Sequence, residues 1–286
     1  MRIGFIGTEN SHVEHFIRFL NSERRHPGVR AAALAGGRSE RNLELAAAGD
    51  LNVIVDRPAD LIGEVDAAIV SSRDGALHLD HARPLLEAGI PVLIDKPLAA
   101  SVADAIELLD ISQRRNVRLV SYSALRFVPE LTAFTSEHPE RSRLRHLHVV
   151  GPADPNSPYS GLFFYGIHQV EAALEILGNP EVEPGSLGVA VKRRGNLVVA
   201  SCLIADTEVT FTFLAPGSAH RPPFHVTGVF DNAVVAQNIT LGPDYNAPAL
   251  AAFLQEVKRD TTRLSPSQLL SPIYITAAIE SEINRK

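Results

Sequence analysis

The sequence predicts an α/β protein of two domains: a doubly wound parallel sheet over residues 1–122, then a mixed α/β domain over residues 123–286. Three observations predict it. The chain has 286 residues, against a soft prior of about 150 per domain. Up to Tyr122, short apolar runs alternate with amphipathic stretches, the pattern of parallel strands joined by crossover helices. After Phe127 the rhythm turns to β-like runs separated by short turns, whose neighbours should pair antiparallel.

In order, strands are expected at Ile3 to Gly7, Val29 to Ala35, Asn52 to Val55, Ala67 to Ser71, Val92 to Asp95 and Val117 to Ser121. Between them, Ser11 caps a helix through Leu20 and Ser39 another that ends at Gly49. A helix from Leu77 to Ala88 stops at Gly89, and Ser101 to Asp104 opens one that runs to Arg115. The second domain begins with a strand at Leu144 to Val150. A stretch rich in Pro, Gly and Ser follows to Gly161, then a helix from Tyr165 to Leu177. Further β-like runs lie at Leu187 to Lys192, Leu197 to Ala205, Glu208 to Leu214, Phe224 to Phe230 and Ala233 to Ile239. Helices at Ala247 to Arg259 and Pro272 to Asn284 end the pattern, with the C-terminal helix free to pack back on the first domain.

Composition narrows the function. Hydrophobic residues at 45% and charged residues at 21% exclude a disordered, collagenous or disulfide-framework protein. With 27 basic and 33 acidic residues the net charge is −6, which disfavours a surface that tracks nucleic acid. Small molecules and copies of the chain itself are the expected partners. The lone Cys202 sits in an apolar run and reads as core, in keeping with a reducing compartment. No apolar run approaches the roughly 18 residues of a membrane span, and Met1-Arg2 leads directly into the first strand. A soluble, cytoplasmic protein is expected.

In a doubly wound sheet ligands bind beyond the strands' carboxyl ends, so chemistry is sought there. The first such turn reads Gly7-Thr8-Glu9-Asn10-Ser11-His12. A dinucleotide fingerprint has three glycines in it; here the first stands, and Glu9 and His12 occupy the second and third places. A tight strand-to-helix turn with no cofactor is the alternative reading. The second strand ends in Ala35-Gly36-Gly37-Arg38-Ser39, without the carboxylate that grips the ribose of NAD, so Arg38 leans the choice slightly towards NADP. Ser71, Ser72 and His78 follow the fourth strand, His78 at the cofactor mouth or on the surface. Ile94-Asp95-Lys96-Pro97 delivers an ionisable pair at a strand end, where burial can bring a lysine pKa towards neutrality and fit it for proton transfer.

These residues resemble the Gfo/Idh/MocA oxidoreductases. Lys96-Pro97 is similar to the family's Glu-Lys-Pro motif, with Asp95 for Glu. Tyr122 with Arg126-Phe127-Val128-Pro129 resembles Tyr-x-x-Arg-Phe-x-Pro with one extra residue. Gly166-Ile167-His168-Gln169-Val170-Glu171 resembles Gly-x-His-x-x-Asp, and Ala277-Ala278-Ile279-Glu280-Ser281 looks like the closing helix. The resemblance implies an N-terminal Rossmann domain and a C-terminal domain with an open, mostly antiparallel sheet. It implies NAD or NADP and a sugar, inositol, polyol or keto-sugar substrate. It also implies a homodimer or larger assembly through the C-terminal sheet.

By the same resemblance Lys96 and His168 are the catalytic pair and Tyr122 and Arg126 touch substrate; the family's aspartate, four residues before the histidine, is Phe164 here. From the residues themselves, His168 and Glu171 share a helix face opposite Ile167, Val170, Leu174 and Leu177. Glu171 is then placed to orient His168, and Tyr165 to offer its hydroxyl. The cofactor set is Gly7, Thr8, Asn10, Ser11, His12, Arg38, Ser71, Ser72, His78, Asp95 and Lys96. The pairs His12 and His15, His78 and His81, and His146 and His148 match no recognised zinc motif, and no metal is expected. The expected activity is hydride transfer by an NAD(P)-dependent oxidoreductase. A sensing protein without turnover and an NAD-assisted lyase or glycosidase are the alternatives.

Overall fold

The structure, a computed structural model, describes residues 1–137, 143–217, 222–259 and 261–285. Two units divide the chain: Met1–Tyr122 with Asn246–Arg263, and Ser123–Tyr245 with Leu264–Lys286. The first therefore takes in a segment well beyond residue 122.

The first unit runs β1 (Arg2–Ile6), α1 (Ser11–Ile17), β2 (Arg30–Ala35), α2 (Ser39–Gly49), β3 (Val53–Val55), β4 (Ala67–Val70), α3 (His78–Glu87), β5 (Val92–Asp95), α4 (Val102–Arg115) and β6 (Leu119–Tyr122). Its six strands are parallel in the order β3-β2-β1-β4-β5-β6. β4, β5 and β6 are buried at every residue, as strands covered on both faces must be, which is why they read as unbroken apolar runs. Two helix starts differ from expectation. Asn10, not Ser11, caps α1, its side chain accepting from the His12 N–H at 3.1 Å. Arg38 precedes α2 with no side-chain cap, and Ser39 is its first residue. Ser101 does cap α4, accepting from the Asp104 N–H at 3.1 Å.

The second unit opens with α5 (Pro129–Glu137), a helix the pattern did not predict, with Pro129 in its first turn where a missing N–H costs nothing. β7 (Leu144–Pro152) and α6 (Leu162–Ile176) follow, then β8 (Ala190–Arg194), β9 (Leu197–Ile204), β10 (Thr207–Leu214), β11 (Phe224–Phe230) and β12 (Val234–Ile239). The sheet order is β12-β11-β7-β10-β9-β8. β7 lies between β10 and β11, parallel to the first and antiparallel to the second, so one pairing departs from the antiparallel expectation. Alternate residues Leu147, Val149, Val209, Phe211, Phe213 and Val226 form a core with Val170 and Leu174 of α6. The intervening His146, His148, Thr210, Thr212, His225 and Thr227 lie on the other face.

Two helices end the chain, α7 (Ala247–Arg259) in the first unit and α8 (Pro266–Asn284) in the second. α8 starts six residues before Pro272, because Ser265 and Gln268 form a capping box and Pro272 is carried inside the helix.

Candidate active site

In the first unit β1 lies between β2 and β4, so the β1–α1 turn stands at the point where strand order reverses. Gly7 has φ +80°, and a Cβ there would strike the Ser72 backbone, so glycine is required on both counts. The Thr8 hydroxyl donates to Asn42 at 2.5 Å, fixing the turn to α2. The Glu9 carboxylate accepts the Arg73 N–H at 2.8 Å, so it lies against the β4–α3 loop. Ser71 donates to the carbonyls of Ile6 and Gly7, both at 3.2 Å. Gly7 is thus fixed by packing against Ser72, and the Glu9 carboxylate is engaged by a backbone N–H, which leaves the turn chemically compatible with an anionic dinucleotide. Ser11 and Arg38 are exposed.

Asp95 and Lys96, at the end of β5, are 7% and 6% exposed. His12 brings its Nδ1 to 2.5 Å from the Asp95 carboxylate, a contact the third fingerprint glycine would not make. Burial alone would raise the Asp95 carboxyl; His12, Lys96 and His78 outweigh it and hold the group below its usual range. His78 is fully buried rather than at a cofactor mouth or on the surface. Its ring nitrogens meet the carbonyls of Pro97 at 2.7 Å and Ser72 at 2.9 Å, tying the loop after β4 to the Lys96-Pro97 corner. Burial lowers its pKa despite these two acceptors. The Ser72 hydroxyl meets His81 Nδ1 at 2.6 Å. Tyr122 is 2% exposed with its hydroxyl on Glu256 of α7, which makes it a strut inside this unit rather than a substrate contact.

In the second unit His168 is 6% exposed on α6, its Nδ1 2.7 Å from the Ser123 hydroxyl. Glu171 accepts the Ser123 N–H at 2.8 Å and Arg126 Nε at 2.5 Å, so its link to His168 passes through Ser123. Arg126 also donates to Glu175 at 3.0 Å and Asn179 at 2.5 Å; this buried guanidinium locks α6 rather than greeting a substrate. The polar face expected of α6 is buried as well, because these partners satisfy it. Tyr165 is half-buried, its ring 5.2 Å from that of His168, and Phe164 stands 5.0 Å from both Tyr159 and Tyr165. Phe164 and Tyr165 help line a cavity of about 240 Å³ with Tyr159, Asp154 and Pro152.

Ser123 is the site residue the sequence reading missed. It stands three residues before Arg126, the spacing that Tyr122 misses by one. His146 and His148 bond Thr210 and Thr212 across the sheet. Among the described residues, no group of three or more His, Cys, Asp or Glu is placed to hold a metal ion, and no helix is long and apolar enough to cross a membrane.

Comparison with known proteins adds an independent line. Residues 1–123 match the model of the Gfo/Idh/MocA family, described as an oxidoreductase family with an NAD-binding Rossmann fold. Inositol 2-dehydrogenase 1 of Saccharopolyspora erythraea is 36% identical over 129 residues, covering 44% of this chain and 37% of that protein. Inositol 2-dehydrogenase 3 of the same organism is 30% identical, covering 44% of this chain and 36% of that one. The chain thus spans little more than a third of each curated relative. The fold matches along its whole length. GenD2 from gentamicin A biosynthesis, solved in complex with NAD, has a TM-score of 0.83 at 16% identity, covering 100% of this chain and 95% of that one. A putative myo-inositol dehydrogenase from Sinorhizobium meliloti gives 0.80 at 14%, covering 100% and 98%. By sequence the first 123 residues are thus similar to the NAD-binding Rossmann domain of the Gfo/Idh/MocA oxidoreductase family, and by fold the whole length is similar to solved structures that include a member of that family.

Proposed function

We propose that the protein is an NAD(P)-dependent oxidoreductase that interconverts a hydroxyl of a sugar, inositol or related polyol with its ketone. The observation that carries this reading is the match of residues 1–123 to an NAD-binding family, in a unit that buries Lys96 at the carboxyl end of β5. The inositol dehydrogenases among the relatives support the substrate class.

When bound, the nicotinamide takes or gives hydride. The chain's own residues handle the proton, because a carbinol carbon releases hydride readily only as its oxygen is deprotonated. Lys96 and His168 are the proposed proton-handling pair. The Ser123 hydroxyl accepts the Leu125 N–H at 3.2 Å and retains a hydrogen and a second lone pair, so it can donate to His168 Nδ1 or accept from it. Either nitrogen of His168 can therefore carry the ring's proton. Tyr165 is the proposed neighbour of the substrate hydroxyls.

At the adenosine end, the exposed Arg38 and the absence of a carboxylate in Ala35-Gly36-Gly37-Arg38-Ser39 favour the 2′-phosphate of NADP slightly over NAD. The open sheet face of the second unit is the proposed surface for a homodimer or larger assembly, and the buried Cys202 suits the reducing cytoplasm.

The test is a panel of inositols, polyols and keto-sugars read by nicotinamide absorbance with both cofactors. Lys96→Ala and His168→Ala should each lower turnover by about a hundredfold or more. No absorbance change on any substrate, or intact turnover in Lys96→Ala, would overturn the reading. Phe164, unable to transfer a proton, favours a second one: a sensor that binds nucleotide or sugar without turnover. Calorimetric binding with no reaction would mark that case.

A further inference from the structure

The β1–α1 turn and the β4–α3 connection leave the carboxyl ends of neighbouring strands and form the two lips of the crevice where strand order reverses. Two bonds join them, both donated by Arg73 to Glu9. The Arg73 N–H donates to the Glu9 carboxylate at 2.8 Å, and Arg73 Nη2 donates to the Glu9 carbonyl oxygen at 2.9 Å. Glu9 is exposed and Arg73 half-buried. The carboxylate in the second glycine's place is thus drawn onto the opposite lip. The guanidinium is held within hydrogen-bond reach of the turn's own backbone.

We propose that Arg73 is a cofactor-binding residue that pairs with the diphosphate of the dinucleotide, and that Glu9 is a positioning residue that holds it there. This rests on the oxidoreductase reading above. A diphosphate laid along the turn would meet the guanidinium at the Glu9 carbonyl. Five N–H donors in a planar fork allow one bond to that carbonyl and others to phosphate oxygens. The added cation offsets the acidic side chain, so the turn keeps its affinity for an anion although two fingerprint glycines are gone.

The test is fluorescence titration with NADH and NADPH on the wild type, Arg73→Gln, Arg73→Lys, Glu9→Ala and Glu9→Gln, with thermal melting as the folding control. Arg73→Gln should weaken binding about tenfold or more and flatten its salt dependence, and Arg73→Lys should recover part of the loss. Glu9→Ala should also weaken binding, although it removes a negative charge from the crevice. Glu9→Gln should bind like the wild type, because its amide oxygen still accepts the Arg73 N–H. Unchanged affinity in Arg73→Gln, or tighter binding in Glu9→Ala, overturns the proposal and leaves the oxidoreductase reading standing. Wild-type protein that binds neither nucleotide overturns both.

Discussion

Arg126 has two carboxylates and an amide around a guanidinium whose side chain is 1% exposed. Removing a buried charge strands its partner. Arg126→Ala should therefore cost about 3–5 kcal/mol, read from urea unfolding, because Glu171 would stay buried without its cation. An unfolding midpoint equal to that of the wild type would show that water replaces the guanidinium without penalty. Arg126 also marks where residue-level legibility ended. Its place in a motif was readable, as were those of Lys96 and His168. Its direction was not, because the acceptors that capture it, Glu171, Glu175 and Asn179, lie 45 to 53 residues away. Tyr122 was misjudged for the same reason, its partner Glu256 being 134 residues distant.

At the scale of elements, α6 carries His168 and receives its cap from another helix. Glu280 of α8 accepts the Leu162 N–H at 2.6 Å, and a Cβ on Gly161 would strike that carboxylate. Glu280→Ala should cost about 1 kcal/mol of stability, and Glu280→Gln less, since its amide oxygen still accepts; thermal melts of the two variants make the comparison. Burial also raises the Glu280 carboxyl, partly countered by the Leu162 N–H. The cap explains why the predicted helix began at Tyr165 although the real one begins at Leu162: no local residue supplies it. Strands were legible because parallel burial writes continuous apolar runs such as Ala67–Val70. The placement of β7 between β10 and β11 was not, since pairing between residues 62 to 86 positions apart leaves no local trace. The start of α8 was legible in Ser265 and Gln268, but Pro272 drew the boundary inward.

On the scale of the molecule, four histidines predict the response to acid. His26, His78, His81 and His148 are each lowered below 6.5, chiefly by burial, with Lys258 and Arg25 adding to the effect at His26, His146 and His225 at His148, and His78 at His81. In the pH window between their folded values and 6.5 the unfolded chain binds more protons. Their contribution to stability is therefore complete above 6.5 and drains away as pH falls through the folded values. Melting temperature should drop between pH 7 and pH 5 more steeply in the wild type than in His78→Gln, relative to each protein's own value at neutrality. Parallel slopes would remove His78 from the account.

The order in which the chain visits its two units has a practical meaning for anyone who cuts it. Because Asn246–Arg263 returns to the first unit before Leu264–Lys286 rejoins the second, no single scission yields two intact halves. A stop codon after residue 122 would leave Tyr122 with a hydroxyl and no Glu256 to receive it, and one after residue 245 would deprive both units of a helix at once. The pieces are interleaved like two threads in one braid, so the gene for either must be spliced rather than trimmed.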